Sequence, residues 1–357
     1  MNFLNKRISV AIDLGPSEVR IAGLSRHKNA VHLLFFEIVD LPQTVSLSSL
    51  SQVDEEMYVS ILRGLSVKYR LHRANISATL PAKSAVLRNL KLDLPIDETR
   101  IHEELEEDIL NTHLDSAESL QLAYHRVDAC ASEQATQVLV CGTARSTIAS
   151  SLNLFKKCGL RVSALELDAT SGYNAFYILL GRTLKQPVAF VMFGFEYSIC
   201  AVLNPGALPY FYLIELGEQA LVDRLARRLD LTYSKGEALK NQLCRTDAGH
   251  ARPEQRSRLE ALVHEFSTTV AEKIKRGLRY CQSRENIVFE KIFLTGRMPN
   301  QSLMEKVINE KLQLEAECFN PLSFFRKSVS ENSTPNNGRK SCGYLLSPVI
   351  GSLLSSQ

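Results

Sequence analysis

The chain opens with short alternating runs of apolar residues, broken by aspartate, glycine and proline. Ile8–Ile12 reads as a strand, Asp13–Ser17 as a tight acidic turn, Val19–Leu24 as a returning strand and Val31–Val39 as a third. A serine-rich stretch, Thr44–Ser51, leads into a helix over Val53–Tyr69, where Met57, Ile61 and Leu65 recur every four residues. Ile76–Leu80 then closes the unit as a strand. This β-β-β-α-β order departs from a dinucleotide-binding fold, which places a helix directly after its first strand.

Residues Pro81–Leu160 form a different block. A strand over Ala85–Leu94 is followed by a helix opened by Asp97, with Ile101, Leu105 and Ile109 on one stripe and Glu103, Glu104, Glu106, Glu107 and Asp108 on a solvated acidic face. Strands over Leu120–Val127 and Ala135–Cys141 and a helix over Arg145–Lys157 complete an α+β insertion. A strand at Leu160–Leu167 and a helix at Ala169–Leu180 lead to a junction at Gly181–Gln186.

The opening pattern then restarts. Val188–Phe193 and Ser198–Leu203 are apolar strands around Gly194, Pro209–Leu216 is a third, and a helix over Glu218–Leu229 follows. Leu231–Ser283 reads as helical, its long stretch Glu254–Cys281 carrying Leu259, Leu262, Phe266, Val270 and Ile274. A strand at Lys291–Leu294 runs through Thr295-Gly296-Arg297 to a helix at Ser302–Leu312. A polar loop, Ser328–Lys340, precedes a helical segment at Leu345–Leu354. Setting Ala11-Ile12-Asp13-Leu14-Gly15 against Phe190-Val191-Met192-Phe193-Gly194 suggests an internal repeat.

Composition narrows the class. A chain of 357 residues predicts two lobes, each of roughly 150–200 residues. Hydrophobic content of 45% with 23% charged residues marks an ordinary globular protein. The net charge of +3, mixed along the chain, gives little footprint for nucleic acid. The 8 cysteines are scattered without metal-ligand spacing, which predicts reduced, mostly buried thiols. Met1–Arg7 does not read as a signal peptide. The longest apolar run, Val188–Leu203, contains Glu196 and is shorter than the roughly 20 residues a membrane span requires. Cytoplasmic residence with no transmembrane segment is the expectation.

The candidate chemistry lies in turns. An Asp-apolar-Gly turn between strands sets backbone amides around an anion and a carboxylate near an accompanying Mg²⁺, a role open to Asp13, Gly15 and Ser17; a plain hairpin turn favours the same residues. Leu294-Thr295-Gly296 runs from a strand toward a helix start, which suits close backbone approach to a nucleotide. Glu237 and Lys240 share a helix face, either bracketing a ribose and an adenine edge or forming a surface ion pair. No G-x-x-x-x-G-K-[ST] and no G-x-G-x-x-G after a strand occurs, which excludes P-loop and dinucleotide readings.

In order and spacing these pieces resemble the PilM family, actin-like proteins of type IV pilus assembly related to the division protein FtsA, over nearly the whole chain. Ile12–Arg20 is similar to the family's first phosphate motif, Asp-Ile-Gly-Ser-Ser-Ser-Val-Lys, with Arg20 at its basic position. Val86 through Pro95, with the helix after Asp97, resembles the inserted subdomain that replaces actin's own. Leu216-Gly217-Glu218 falls where the family has Gly-Gly, and Gly236–Lys240 is similar to its Glu-Ala-x-x-Lys nucleoside motif. Ile292–Arg297 resembles its Leu-Thr-Gly-Gly adenosine motif, and Asn320-Pro321-Leu322 its Asn-Pro-Phe.

The resemblance implies an α/β, actin-like (ribonuclease H-like) duplicated two-lobe fold. The first-lobe core would comprise residues 1–80, 161–187 and 344–357, with an α+β subdomain inserted at 81–160. The second-lobe core would comprise 188–230 and 286–343, with a helical subdomain at 231–285. It implies a nucleotide site of Asp13, Gly15, Ser17, Arg20, Gly194, Ser198, Gly217, Glu237, Lys240, Gly296 and Arg297, taking ATP or ADP with Mg²⁺ held by Asp13. The departures bear on chemistry. Met192 stands where the second phosphate motif has Asp, and a thioether cannot orient water or hold a metal-bound one. Pro16 removes an amide from the first turn, and Arg297 replaces a glycine, to crowd the base or stack on it. Weak or absent hydrolysis is expected.

The implied function is a cytoplasmic scaffold of a type IV pilus, secretion or competence platform. It would bind the N-terminal cytoplasmic peptide of a PilN-like inner-membrane protein in a groove near Ile76–Leu94, with other platform proteins and self-association as further contacts. The competing class is an ATPase or sugar-kinase-like phosphotransferase of the same fold. A membrane-bound filament former ranks behind both, because Leu345–Leu354 is short and lacks Lys or Arg.

Overall fold

The computed structural model describes residues 8–27, 30–47, 50–93, 120–127, 135–244, 253–298, 301–325 and 342–355. The expected helix after Asp97, the polar loop Ser328–Lys340 and Met1–Arg7 lie outside them. The chain divides into two compact units, one drawn from Met1–Asn174, Gly206–Phe211 and Pro348–Gln357, the other from Ala175–Pro205 and Tyr212–Ser347.

The first sheet is built from β1 (Ser9–Leu14), β2 (Glu18–His27), β3 (Ala30–Asp40), β4 (Asn75–Leu80) and β8 (Val162–Leu167), in the order β3-β2-β1-β4-β8. β2 is antiparallel to β1 and β3, while β4 runs parallel to both β1 and β8. Covered on both faces, β1 and β4 are buried along almost their whole length, which is why their sequences read as near-continuous apolar runs. Helix α1 (Gln52–Tyr69) starts at a capping box in which Ser51 and Asp54 satisfy each other's backbone amides. It buries Tyr58, Val59, Leu62 and Leu65, with Met57 and Ile61 at the edge of that stripe.

Between β4 and β8 the chain makes a separate antiparallel sheet of β5 (Ala85–Asp93), β7 (Ala135–Ala144) and β6 (Leu120–Val127), in the order β5-β7-β6. Leu122, Val138 and Val140 form its own small core with Val86, Leu90 and Tyr124. Helix α2 (Arg145–Lys157) returns to the first sheet, placing Leu154 and Phe155 in one cluster with Tyr58 and Leu62.

The second sheet repeats the first. It comprises β9 (Val188–Phe193), β10 (Ser198–Leu203), β11 (Tyr210–Ile214), β12 (Lys291–Gly296) and β13 (Glu315–Cys318), in the order β11-β10-β9-β12-β13. β10 is antiparallel to β9, and β12 is parallel to β9 and β13, matching the first sheet strand for strand. The sequence reading has no strand at Glu315–Cys318, whose alternation spans only 4 residues.

Helices α3 (Asp168–Leu179), α4 (Glu218–Arg228), α5 (Tyr233–Cys244), α6 (Pro253–Glu285) and α7 (Gln301–Leu312) follow the expected order. On α6 the buried residue beside Leu259 is Val263, while Leu262 is half-buried; both spacings fit a 3.6-residue period, and packing selects between them. Helix α8 (Ser347–Ser355) ends the described chain on the first unit, where Ser352 donates to Ser77 Oγ at 2.7 Å and Ser355 to Glu166 at 2.9 Å.

The chain passes between the units at Asn174/Ala175, within α3 and ahead of the glycine at Gly181. Phe176 belongs to the second unit because it stacks on Phe190 at 4.7 Å, tilts against Phe293 at 5.0 Å and meets Phe319 edge-on at 5.4 Å. Phe176→Ala is therefore expected to lower the unfolding free energy by about 3–5 kcal/mol, read from the urea midpoint. A loss below about 1 kcal/mol would contradict this packing.

Candidate functional site

In the first unit, strand register places Asp13 of β1 opposite Arg20 of β2 and level with Thr79 of β4. Arg20 Nη1 donates to Asp13 Oδ2 at 2.7 Å, and Thr79 Oγ1 donates to Asp13 Oδ1. The same guanidinium donates from Nε to Glu18 Oε1 at 2.6 Å. One arginine thus joins two buried carboxylates at the mouth of the first turn. That turn is also closed on itself. The Gly15 amide donates to Glu18 O at 2.9 Å, Pro16 has no amide, and Tyr58 Oη reaches from α1 to Gly15 O at 2.8 Å.

The repeat shows what the second unit has changed. Met192 occupies the fifth position of β9 as Asp13 does in β1, opposite Ile199 and beside Thr295, so both charged positions of the first unit have apolar counterparts. Thr295 turns away to Tyr344 O, at 3.0 Å, and to Ser347. Ser198, expected to meet a nucleotide, is buried and donates to Leu216 O at 2.8 Å.

Charge enters the second unit from α4. Glu218, its first residue, accepts Lys240 Nζ on Oε1 and Arg297 Nη1 on Oε2, with all three side chains almost fully buried. Arg297 also lies over the Phe195 ring, its guanidinium carbon 5.6 Å from the centroid. Lys240 consequently pairs with neither Glu237 nor solvent, and of the two readings offered for that helix face the surface ion pair does not form. Gly217 lets the start of α4 approach the β9–β10 loop, since a Cβ there would run into Phe195 O. Gly296 has a φ of 90° and abuts Phe193 O, and a Cβ at Gly194 would strike Tyr197 O.

Three backbone bonds close these loops. The Glu218 amide donates to Gly194 O at 3.0 Å, Gln219 to Phe195 O at 2.9 Å and Arg297 to Phe193 O at 2.7 Å. Of the expected nucleotide residues, Asp13, Gly15, Ser17 and Arg20 belong to the first unit, and Gly194, Ser198, Gly217, Glu237, Lys240, Gly296 and Arg297 to the second. Sequence reasoning missed Glu218, Glu18, Thr79, Tyr58 and Phe195. For Glu218 a signal was present: a carboxylate directly after Gly217, in the segment that falls where the resembling family has Gly-Gly.

These residues do not fit a magnesium nucleotide as they stand. A cation at Asp13 would have to displace the Arg20 guanidinium. The two basic groups available to phosphate or ribose in the second unit already share one carboxylate. The Tyr233 hydroxyl, buried without a hydrogen-bond partner among the described residues, is pushed up to about 12, by burial first and then by Glu237, Asp223 and Glu218, against the lowering effect of Arg297.

Burial alone would raise the Glu218 carboxyl, but Arg297 and Lys240 outweigh it and hold it below the ordinary 4.5. A depressed carboxylate contributes stability that is complete above the unfolded value and is lost as pH falls through the folded one. Glu218→Gln is expected to cost about 3 kcal/mol at neutral pH. The gap from wild type should narrow as pH drops below 4.5, measured by urea unfolding across pH; a gap constant with pH would contradict the ionic role.

A family model described as "Type IV pilus assembly protein PilM" matches residues 11–345. No curated protein matches the chain significantly. Among solved structures, a PilM–PilN type IV pilus biogenesis complex aligns over 97% of this chain and 97% of its own with a TM-score of 0.77 at 14% identity. The ethanolamine utilization protein EutJ from Carboxydothermus hydrogenoformans aligns over 99% and 91% with a TM-score of 0.56 at 12% identity. The duplicated sheet is the actin-like fold these structures share. With residues 11–345 matched, from within β1 to just before α8, the chain belongs to the PilM family of type IV pilus assembly proteins.

Proposed function

We propose that this chain is a cytoplasmic scaffold of a pilus or related secretion platform, which captures the N-terminal cytoplasmic peptide of a PilN-like membrane protein and does not turn over ATP efficiently. The family match over residues 11–345 carries this reading. The similar fold solved in a PilM–PilN complex supports the choice of partner. Among the described residues no helix is long and apolar enough to cross a membrane, so in this reading the partner supplies membrane contact.

The inserted sheet is the proposed peptide-binding element. Of the stretch first expected to line the groove, Ile76–Leu80 is buried between β1 and β8 and is unreachable. That leaves the turn at Ala82–Ser84, where Lys83 and Ser84 are exposed, and β5. β5 pairs with β7 on one side and stands at the edge of its sheet among the described residues. An edge strand offers unpaired backbone groups to an extended peptide, which adds as a further strand and draws specificity from alternate side chains.

Weak or absent hydrolysis follows from the first- and second-unit ionic groups and from Met192. No second carboxylate stands at that position to assist phosphoryl transfer, which disfavours the phosphotransferase class. The test is fluorescence anisotropy of the labelled partner peptide with the full chain, paired with hydrogen exchange. Binding in the micromolar range with new protection in Ala85–Asp93 is expected. Absence of binding at several hundred micromolar would overturn the reading, a limit set by the roughly −4 to −8 kcal/mol span of millimolar to micromolar affinities.

A further inference from the structure

Lys240 and Arg297 are the basic groups that the second unit offers to a nucleotide, and both end on one carboxylate. We propose that Glu218 is a built-in anion acting in place of a nucleotide, tying α4, α5 and the end of β12 together so that the second unit stays assembled without bound ATP or ADP.

The position of the carboxylate carries this first. Glu218 opens α4 directly after Gly217, whose close approach to Phe195 O fixes where the side chain starts. Its two oxygens receive cations from two different elements, Lys240 from α5 and Arg297 from the residue after β12. A bound polyanion bridging the same groups would draw together the same elements. Here a side chain of the protein does so, with no loss of translational freedom on binding.

The backbone leads to the same conclusion. Amides of Glu218, Gln219 and Arg297, at the start of α4 and the end of β12, are committed to carbonyls of Gly194, Phe195 and Phe193 and are not free to receive an anion. Arg297 is further held against Phe195, so its guanidinium has partners on two sides. A nucleotide would have to displace Glu218 from two cations. This inference stands apart from the peptide-binding reading, since a chain free of nucleotide can carry the inserted sheet unchanged.

The test is thermal unfolding and calorimetric titration of the full chain with Mg²⁺-ATP, Mg²⁺-ADP and inorganic pyrophosphate, for wild type, Glu218→Gln and Lys240→Met. About 5 mM of each compound is expected to leave the wild-type midpoint within about 1 °C, because a ligand without affinity for the native state adds no stability. Each variant is expected to melt about 5 °C or more below wild type. A larger rise of the wild-type midpoint with either nucleotide overturns the proposal, and so does a Glu218→Gln chain that melts with wild type. If Glu218→Gln does not fold, the wild-type titration and Lys240→Met decide the matter by the same thresholds.

Discussion

A charge withdrawn from water must find a counter-charge within reach, and this constraint organises both halves of the protein. In the first unit Arg20 answers Asp13 and Glu18; in the second Glu218 answers Lys240 and Arg297. The signs are inverted, one cation with two anions against one anion with two cations. The first group joins β1 to β2 through Asp13 and Arg20, and the second joins α4, α5 and the end of β12, so each ionic group also sets how its elements meet. Breaking such a group is costly because a partner left behind is buried without compensation.

The duplicated sheet supplies the frame. Two β-hairpins extended by parallel strands place the fifth residues of β1 and β9 in equivalent positions. In one copy that position carries the polar set Asp13, Arg20 and Thr79. In the other it carries Met192 beside Ile199, with Thr295 turned to other partners. The copies have kept their backbone and exchanged their chemistry. The inserted sheet β5-β7-β6, with its own small core, adds an element independent of either ionic group.

The frame was legible in the sequence because its signals are local. Alternation in β1 and β2, the Ser51 start of α1 and the long apolar stripe of α6 follow from backbone periodicity and capping. Setting Ala11–Gly15 against Phe190–Gly194 suggested the duplication, and the resemblance to the family's second phosphate motif marked Met192 as the lost carboxylate. What was not legible is pairing across sequence distance. Nothing near Lys240 in the chain indicates that its partner is Glu218, and Glu237 on the same helix was the nearer candidate. Likewise Thr79 and Tyr58 reach the first turn only through tertiary packing. β13 was missed because its 4 residues give too short an alternation to stand out.

In this account each ionic group holds its own unit together from within, and the inserted sheet meets the partner without reference to a nucleotide. The direct measurement is the affinity of the full chain for the partner peptide by calorimetry, with and without saturating Mg²⁺-ATP. Affinities equal within a factor of about two are predicted, corresponding to a coupling free energy near zero. A change of about tenfold or more, a coupling of roughly 1.4 kcal/mol, would show that nucleotide and peptide sites communicate and would contradict the account.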